Sequence, residues 1–275
     1  MSLFNELSLW SDYPIVAFDT ETSGPYPLES EIVELGAVKW FKGEIIGQFQ
    51  TLLKPSKPMT QDNINIHGIT NEMVADAPLM KDQIVAFHEF IKDSLLIAHH
   101  APFDLGFIAP EFEKAGLPFP TNVHLCSSLI SRALLHTTNH KLQTLVKELN
   151  LVGGDAHRAY DDAYACLQVF MKAAEKLDVP SLEKLKAVQV KKLEWANYTL
   201  FSKQTEQIKS LVDAIQKQKT IQIVYEGGQS KNKLRPITPK GIVRNPDGDY
   251  VHAECGLDNQ RKRFYLSKII DIELV

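Results

Sequence analysis

Two aspartates stand at the heads of apolar helix faces, and that placement constrains the fold more than any other feature of the sequence. Asp104 follows Pro102, a residue suited to a first helical turn, and three, four, eight and eleven positions beyond it come Phe107, Ile108, Phe112 and Ala115. Asp162 leads the row Ala165, Cys166, Val169, Phe170 and Ala173, whereas the row of Asp161 reads Tyr164, Gln168 and Lys172. Asp162 is therefore expected to point inward and Asp161 outward. A further acidic pair closes an apolar run at Phe18-Asp19-Thr20-Glu21-Thr22, where strand alternation sends Asp19 and Glu21 to one side. Alone, a D-x-E is as readily a solvated strand end, because chance supplies about one per chain of this size. Carboxylates that face a core are costly unless protons or cations neutralise them. Four oxygen donors of this kind suit Mg²⁺ or Mn²⁺ and do not suit zinc.

The apolar periodicity divides the 275 residues into two folded parts. Runs at 14–20, 31–40 and 44–54 have the period of strands, with a turn at Lys42-Gly43, and predict a meander. The signal becomes helical from Asn71, is broken by one more strand at 94–98, and resumes at about 102–116, 125–135, 140–150 and 158–177. This order predicts an α/β domain over residues 1–178, a mixed sheet flanked by helices. Residues 179–218 carry Leu182, Leu185, Val188, Leu193 and Trp195 at helical spacing and predict a packed helical connector. Strand period returns over 219–275 and predicts a small all-β domain.

The formal net charge of -4 argues against a general polyanion binder. The charge is uneven, however. Residues 201–275 hold 13 Lys+Arg against 9 Asp+Glu, a net of +4, which leaves -8 for residues 1–200. No apolar run approaches the roughly 18 residues of a spanning helix, and the acidic start is unlike a signal peptide, so a soluble cytoplasmic protein is expected. Cys126, Cys166 and Cys255 fit neither CxxC nor zinc spacing and read as inert buried thiols in a reducing compartment.

Three segments, Phe18-Asp19-Thr20-Glu21-Thr22, Ala98-His99-His100-Ala101-Pro102-Phe103-Asp104 and His157-Arg158-Ala159-Tyr160-Asp161-Asp162, together resemble the motifs of the DEDDh 3'-5' exonucleases. This ribonuclease-H-like family includes proofreading subunits and ribonuclease T. The segments 31–37 and 66–70 add family-like stretches, and the resemblance covers about residues 12–175. It implies hydrolysis assisted by two divalent ions, Mg²⁺ or Mn²⁺, held by Asp19, Glu21, Asp104 and Asp162. Asp19 would bridge both ions, Glu21 and Asp162 would serve the nucleophile side, and Asp104 would act more indirectly, through water. His157 would be the general base, a role its reference pKa of about 6.5 suits. The plain alternative is a helix-start histidine without a chemical role. The resemblance also places the backbone near Thr22 on the terminal 3'-hydroxyl and His67 and Phe103 on the last bases. His100, standing where the family commonly has Asn, joins that substrate set. On residue type alone His67-Gly68 is equally a turn and Phe103 equally core. His99 and His100, read as adjacent strand residues on opposite faces, do not form a metal pair. His99, His124, His136 and His140 are therefore taken as structural.

Segments 221–225, 235–239, 248–253 and 263–269 resemble a WYL domain, an Sm-like small β-barrel associated with nucleic acid or nucleotide-type ligands. The name-giving triplet is degenerate here, Asp249-Tyr250-Val251. Arg235, Arg261, Arg263 and Lys268 interleave with Tyr250 and predict a strand-binding surface, the alternative being a solvated face on a domain that merely docks. The combined expectation is a two-metal 3'-5' exonuclease on single-stranded 3' ends, DNA before RNA, working with a polymerase or repair partner and no membrane. A nucleotide-type ligand is expected at the WYL-like domain. The competing readings are an RNA 3'-5' exonuclease and a ligand-sensing nucleic-acid-binding regulator with a nuclease scaffold.

Overall fold

A computed structural model describes residues 4–202, 204–227 and 233–274. The first sheet contains β1 (Ile15–Thr22), β2 (Ile32–Phe41), β3 (Glu44–Leu52), β4 (Leu95–Ala98) and β5 (His124–Cys126), in the order β3-β2-β1-β4-β5. β1 is central, antiparallel to β2 and parallel to β4, and the continuous apolar run Ile15 to Phe18 is buried on both faces. Val16, Phe18 and Leu35 face α2 (Met80–Phe90) and α3 (Pro102–Lys114) through Ile84, Phe87, Ile108 and Phe112. Ile15, Ala17 and Val38 face the other side, where α4 (Ser127–Leu134), α5 (Leu142–Glu148), α6 (Ala159–Ala174) and α7 (Leu182–Gln189) contribute Ile130, Leu145, Phe170 and Leu185. The result is a three-layer mixed α/β domain of the expected kind.

Three local expectations give way. Helix α1 (Gln61–His67) precedes the stretch expected to turn helical; its Asn- and Asp-rich residues have weak propensity, and it is held by its ends. The Thr60 hydroxyl accepts from the Asn63 amide, and Gly68 closes the helix at φ 71. Residues 71–76 form turns and 77–79 are irregular, so α2 begins only at Met80. Residues 124–126 form β5 where a helix was expected from 125, a strand too short to declare a period.

Residues 195–198 form a 3-10 turn that seals the first domain, with Trp195 and Tyr198 buried beside Phe18 and Phe112. Gln189, at the end of α7, accepts from the Cys126 amide at 2.6 Å and donates to the His124 carbonyl at 3.3 Å, so its side chain occupies the open edge of β5. The Glu113 carboxylate accepts from the amides of Leu200, Phe201 and Ser202.

The second sheet is antiparallel, with β6 (Ile221–Tyr225), β7 (Leu234–Val243), β8 (Tyr250–Cys255), β9 (Gln260–Tyr265) and β10 (Ile269–Leu274) in the order β10-β6-β7-β8-β9. Helix α8 (Glu206–Gln216) lays Ile208, Leu211 and Ile215 on Ile223, Ile237, Val251 and Phe264 to form its core. All three cysteines are free and buried. Among the described residues no helix is long and apolar enough to cross a membrane.

Candidate active site

Four carboxylates come together from one strand and two helix heads. Asp19 and Glu21 lie two apart on β1, opposite Gly36 and Glu34 of β2, and the ladder becomes irregular between Glu21 and Thr22. Asp104 occupies the first turn of α3, and its Oδ1 accepts from the Thr20 hydroxyl at 2.8 Å. Asp162 sits in the first turn of α6, where Oδ1 accepts from Gln143 Nε2 at 2.9 Å and Oδ2 from the His157 amide at 3.1 Å. Glu21, Asp104 and Asp162 are buried, and Asp19 is half-buried at the floor of the group.

Their electrostatics mark the cluster as unfinished without cations. Burial raises Asp19 well above the carboxylate range, and repulsion from Asp104, Glu21 and Asp162 adds to it. Burial, then the charges of Asp162, Glu34 and Asp104, pushes Glu21 up to about 8, with Arg158 pulling the other way. Burial also raises Asp104 and Asp162. Ligand atoms of Glu21, His157 and Asp162 all lie within 4.8 Å of one another. Carboxylates gathered and buried in this way, with Asp19 and Glu21 raised further by neighbouring charge, fit hard divalent ions.

These shifts predict a pH-dependent stability. Acids whose folded pKa is raised bind more protons in the native state, so their contribution falls as pH rises from the unfolded value near 4 through the folded value. For Glu21 the shift corresponds to on the order of 5 kcal/mol. Burial lowers His99 to about 4 and His124 to about 3, so these neutral imidazoles weaken the fold as pH drops below about 6.5. Above about pH 6.5 the histidines are neutral in both states and only the acids still titrate, so metal-free protein is expected to melt progressively lower from pH 6.5 to 9, and Mg²⁺ or Mn²⁺ should raise the melting temperature most at pH 8–9. Scanning calorimetry in EDTA and in metal, from pH 5 to 9, checks this; equal stabilisation by metal at every pH would contradict it.

A second tier beneath the acids was not foreseen. Glu34 is 0% exposed, and its carboxylate accepts from Arg158 Nη2 at 2.8 Å, Arg158 Nε at 3.1 Å, the Ala159 amide at 3.0 Å and Gln50 at 3.3 Å. These donors hold its pKa below the usual carboxylate value against burial. A Cβ on Gly36 would stand 2.2 Å from the Tyr160 nitrogen, so β2 and the start of α6 meet backbone to backbone there. His157 directly precedes this anchor, is exposed, and has φ 61. Alternation along β2 marks Glu34 and Gly36 as one face, which is the signal available in the sequence; nothing there pairs Glu34 with Arg158, 124 positions away.

The substrate-side residues are divided. Thr22 ends β1, and its hydroxyl donates to the Gly24 carbonyl at 2.7 Å. His67 is the last residue of α1 rather than a loop residue; it is buried, its Nδ1 accepts from the Ile69 amide at 3.0 Å, and its other side faces the Thr22 backbone. Phe103 is half-buried against Phe107 with ring centroids 5.0 Å apart. His99 and His100 lie in the turn after β4 and not on a strand. His100 is exposed at φ 66, a left-handed backbone that Asn adopts more readily. His99 is structural, with Nε2 donating to the His140 carbonyl at 3.0 Å and Nδ1 accepting from Ser127 at 2.7 Å.

The second sheet gathers most of the expected basic surface. Register pairs Tyr250 with Tyr265, His252 with Arg263 and Glu254 with Arg261, while Val251 and Phe264 pair toward the core. Tyr250, Arg261 and Arg263 therefore share the outer face. Arg263 lies 5.1 Å over the Tyr250 ring and Lys268 5.9 Å over Tyr265. Arg235 departs from expectation: it is 7% exposed, opposite Ile223 on the inner face, with its guanidinium 5.5 Å over Phe264. It is a packing group and not part of the exposed surface.

Comparison with known proteins places these residues in a family. A family model described as an exonuclease, of the RNase T type, matches residues 16–170, and one described as a WYL domain matches 206–274. The chain is 33% identical over 220 residues to the DNA polymerase III PolC-type of Caldanaerobacter subterraneus subsp. tengcongensis, covering 77% of this chain and 16% of the polymerase. It is 39% identical over 155 residues to the PolC-type polymerase of Halalkalibacterium halodurans, covering 56% of this chain and 11% of that one. The chain thus spans only a small part of the curated relatives it matches. Among solved structures, Exonuclease X in complex with 5' overhanging duplex DNA aligns with a TM-score of 0.50 at 25% identity, over 64% of this chain and 98% of that one. Exonuclease I (apo) aligns with a TM-score of 0.53 at 14% identity, over 96% of this chain and 64% of that one, a likeness of fold. Because the matched exonuclease model runs from β1 through most of α6 and encloses Asp19, Glu21, Asp104, His157 and Asp162, the chain belongs to the RNase T exonuclease family and carries a WYL domain on its C-terminal side.

Proposed function

We propose that this chain is a 3'-5' exonuclease that removes nucleotides from single-stranded 3' ends of DNA. The observation that carries the reading is the gathering of Asp19, Glu21, Asp104 and Asp162, each poorly accommodated alone, beside an exposed His157. The four carboxylates would hold two divalent ions, Mg²⁺ or Mn²⁺, which when bound would favour deprotonation of water at neutral pH and offset negative charge building on the phosphate. His157 takes the proton of the attacking water. The water oxygen bonds to phosphorus, the bond to the preceding nucleotide's 3'-oxygen breaks, and that oxygen is protonated from solvent. The amide tie from His157 to Asp162 and the Arg158 anchor fix where the imidazole stands. The backbone at Thr22 receives the terminal 3'-hydroxyl, and His67, His100 and Phe103 contact the last nucleotides.

DNA as substrate is supported by the polymerase relatives and by the duplex DNA held by Exonuclease X. The same relatives support a polymerase or repair partner and a cytoplasmic setting. For the parts of the chain we take residues 1–178 as the nuclease domain, 179–218 as a helical connector whose α8 lids the barrel, and 219–275 as the barrel. A helix followed by five strands ordered β10-β6-β7-β8-β9 supports an Sm-like barrel. Its face of Tyr250, Arg261, Arg263 and Lys268 is a strand-binding module.

The chain with Mg²⁺ or Mn²⁺ is expected to release nucleoside 5'-monophosphates from labelled single-stranded DNA faster than from a matched RNA strand. No release in either metal would sink the assignment. His157→Gln should lower kcat by about 10²–10⁴-fold, while calorimetric Mn²⁺ binding persists. A variant with the full rate would remove His157 from the chemistry.

A further inference from the structure

The segment that leaves the catalytic strand is docked on the barrel face assigned above to nucleic acid. Residues 23–31 run from the end of β1 to β2, closed on themselves by hydrogen bonds from the Ser23 amide to the Glu31 carbonyl and from the Ser30 amide to the Tyr26 carbonyl, both 2.9 Å. At its tip Tyr26 lies flat on His252, with ring centroids 3.8 Å apart and planes 18° from parallel. Glu29 reaches Arg261 with its Oε1 3.2 Å from Nη2. Gly241 is the neighbour of His252 in β7, and a Cβ there would stand 2.6 Å from the Pro27 carbonyl oxygen and 2.7 Å from Tyr26 Cβ. The absent side chain is what lets the loop lie against the sheet. Leu28, at φ 75, packs against the core of the second domain.

A flat ring on an imidazole with an anion on a neighbouring guanidinium is the chemistry by which such a face grips one nucleotide, base and phosphate. The loop fills the position incompletely. Glu29 Oε2 stands 3.7 Å from His252 Nδ1, beyond hydrogen-bond distance, and that buried nitrogen has no hydrogen-bond partner. Arg261 is 60% exposed, so its ion pair with Glu29 contributes at most about 1 kcal/mol. Beyond the loop the same face stays open at Arg263, Tyr265 and Lys268.

We propose that Tyr26 and Glu29 are an internal ligand of the barrel, standing where a base and phosphate bind, and that a single-stranded segment bound at Arg263 displaces them on reaching His252 and Arg261. The proposal rests on the reading of the barrel as a strand-binding module. Because the loop continues directly from Glu21 and Thr22, occupancy of the barrel and the conformation at the end of β1 become linked, and linkage is reciprocal.

The test measures binding of a fluorescein-labelled oligothymidylate of about eight nucleotides to the full chain in EDTA, where it is not degraded. A docked loop lowers the apparent affinity by the fraction of molecules in which it is undocked. Tyr26→Ala and Glu29→Gln are each expected to tighten binding several-fold, and Arg263→Ala to weaken it in every background. Tightening by Glu29→Gln alone would be a field effect of one lost charge and would overturn the proposal, because Tyr26→Ala changes no charge. Binding that depends on Arg263 but ignores both loop variants would overturn the internal ligand while leaving the module intact. Binding indifferent to Arg263 would overturn both. In wild type, the amides of residues 23–31 should exchange with solvent faster when the oligonucleotide is added; unchanged or slower exchange would also overturn displacement.

Discussion

Asp19→Asn is expected to cut degradation of single-stranded DNA by about 10³-fold or more and, in metal-free buffer at pH 8, to raise the melting temperature. The two effects share one cause. Asp19 is repelled by Asp104, Glu21 and Asp162 and poorly solvated, so its ionised form is paid for by the rest of the fold. An isosteric amide removes the charge and relieves its three neighbours. The same change removes one of the carboxylates that would hold the ions, and the lost transition-state charge stabilisation is several kcal/mol, at about 1.4 kcal/mol per tenfold in rate. A gain of about 2 kcal/mol would appear as roughly 4–8 °C in a unit of this size. Rates within tenfold of wild type, or a melting temperature that falls in EDTA, would show that Asp19 is not the strained centre of the site.

Arg158→Ala is expected to be the most destabilising substitution near the site, by about 3–5 kcal/mol, because it strands the Glu34 carboxylate with no exposure and no counter-charge. Glu34→Gln should cost less, since an amide oxygen still accepts from Arg158 and Ala159 while the charge is lost. The functional signature is separable from the loss of stability. At a temperature where Arg158→Ala remains folded, kcat should fall with little change in KM, because the loosened group is His157 and not the substrate cradle. Added guanidinium should restore part of kcat. A change in KM alone, or no response to guanidinium, would make the pair purely architectural.

Much of the site was legible because buried charge is conspicuous in an apolar row. Asp104 and Asp162 are betrayed by the apolar side chains set at helical spacing behind them, and both are buried as that spacing requires. Alternation put Asp19 and Glu21 on one side of β1, and only the company of Asp104 and Asp162 set them apart from a solvated strand end. Glu34 obeys the same alternation, but its partner arrives from α6, and no local period encodes a contact across 124 positions. Arg235 misled for the opposite reason. Composition treats every arginine as surface, whereas register with Ile223 turns this one inward onto Phe264. Elements shorter than a period, β5 and the turn holding His100, left no mark that a pattern can read. Helix α1 hid its signal in the cap residues Thr60 and Gly68.

Trp195 sets where this protein can be cut. Anyone shortening the chain after α6, or grafting everything beyond it onto another nuclease, would pull Leu193, Trp195 and Tyr198 out from between β1 and α3. At about 1.5–3 kcal/mol for each large buried side chain, that loss rivals the whole stability of an ordinary domain. The same cut frees the edge of β5 that Gln189 now fills, turning a trimmed enzyme into a template for aggregation. A cut further on, past the backbone clasped by Glu113 at Leu200 to Ser202 and before α8 begins at Glu206, spares the first core but takes Leu200 and Phe201 from the core beneath α8.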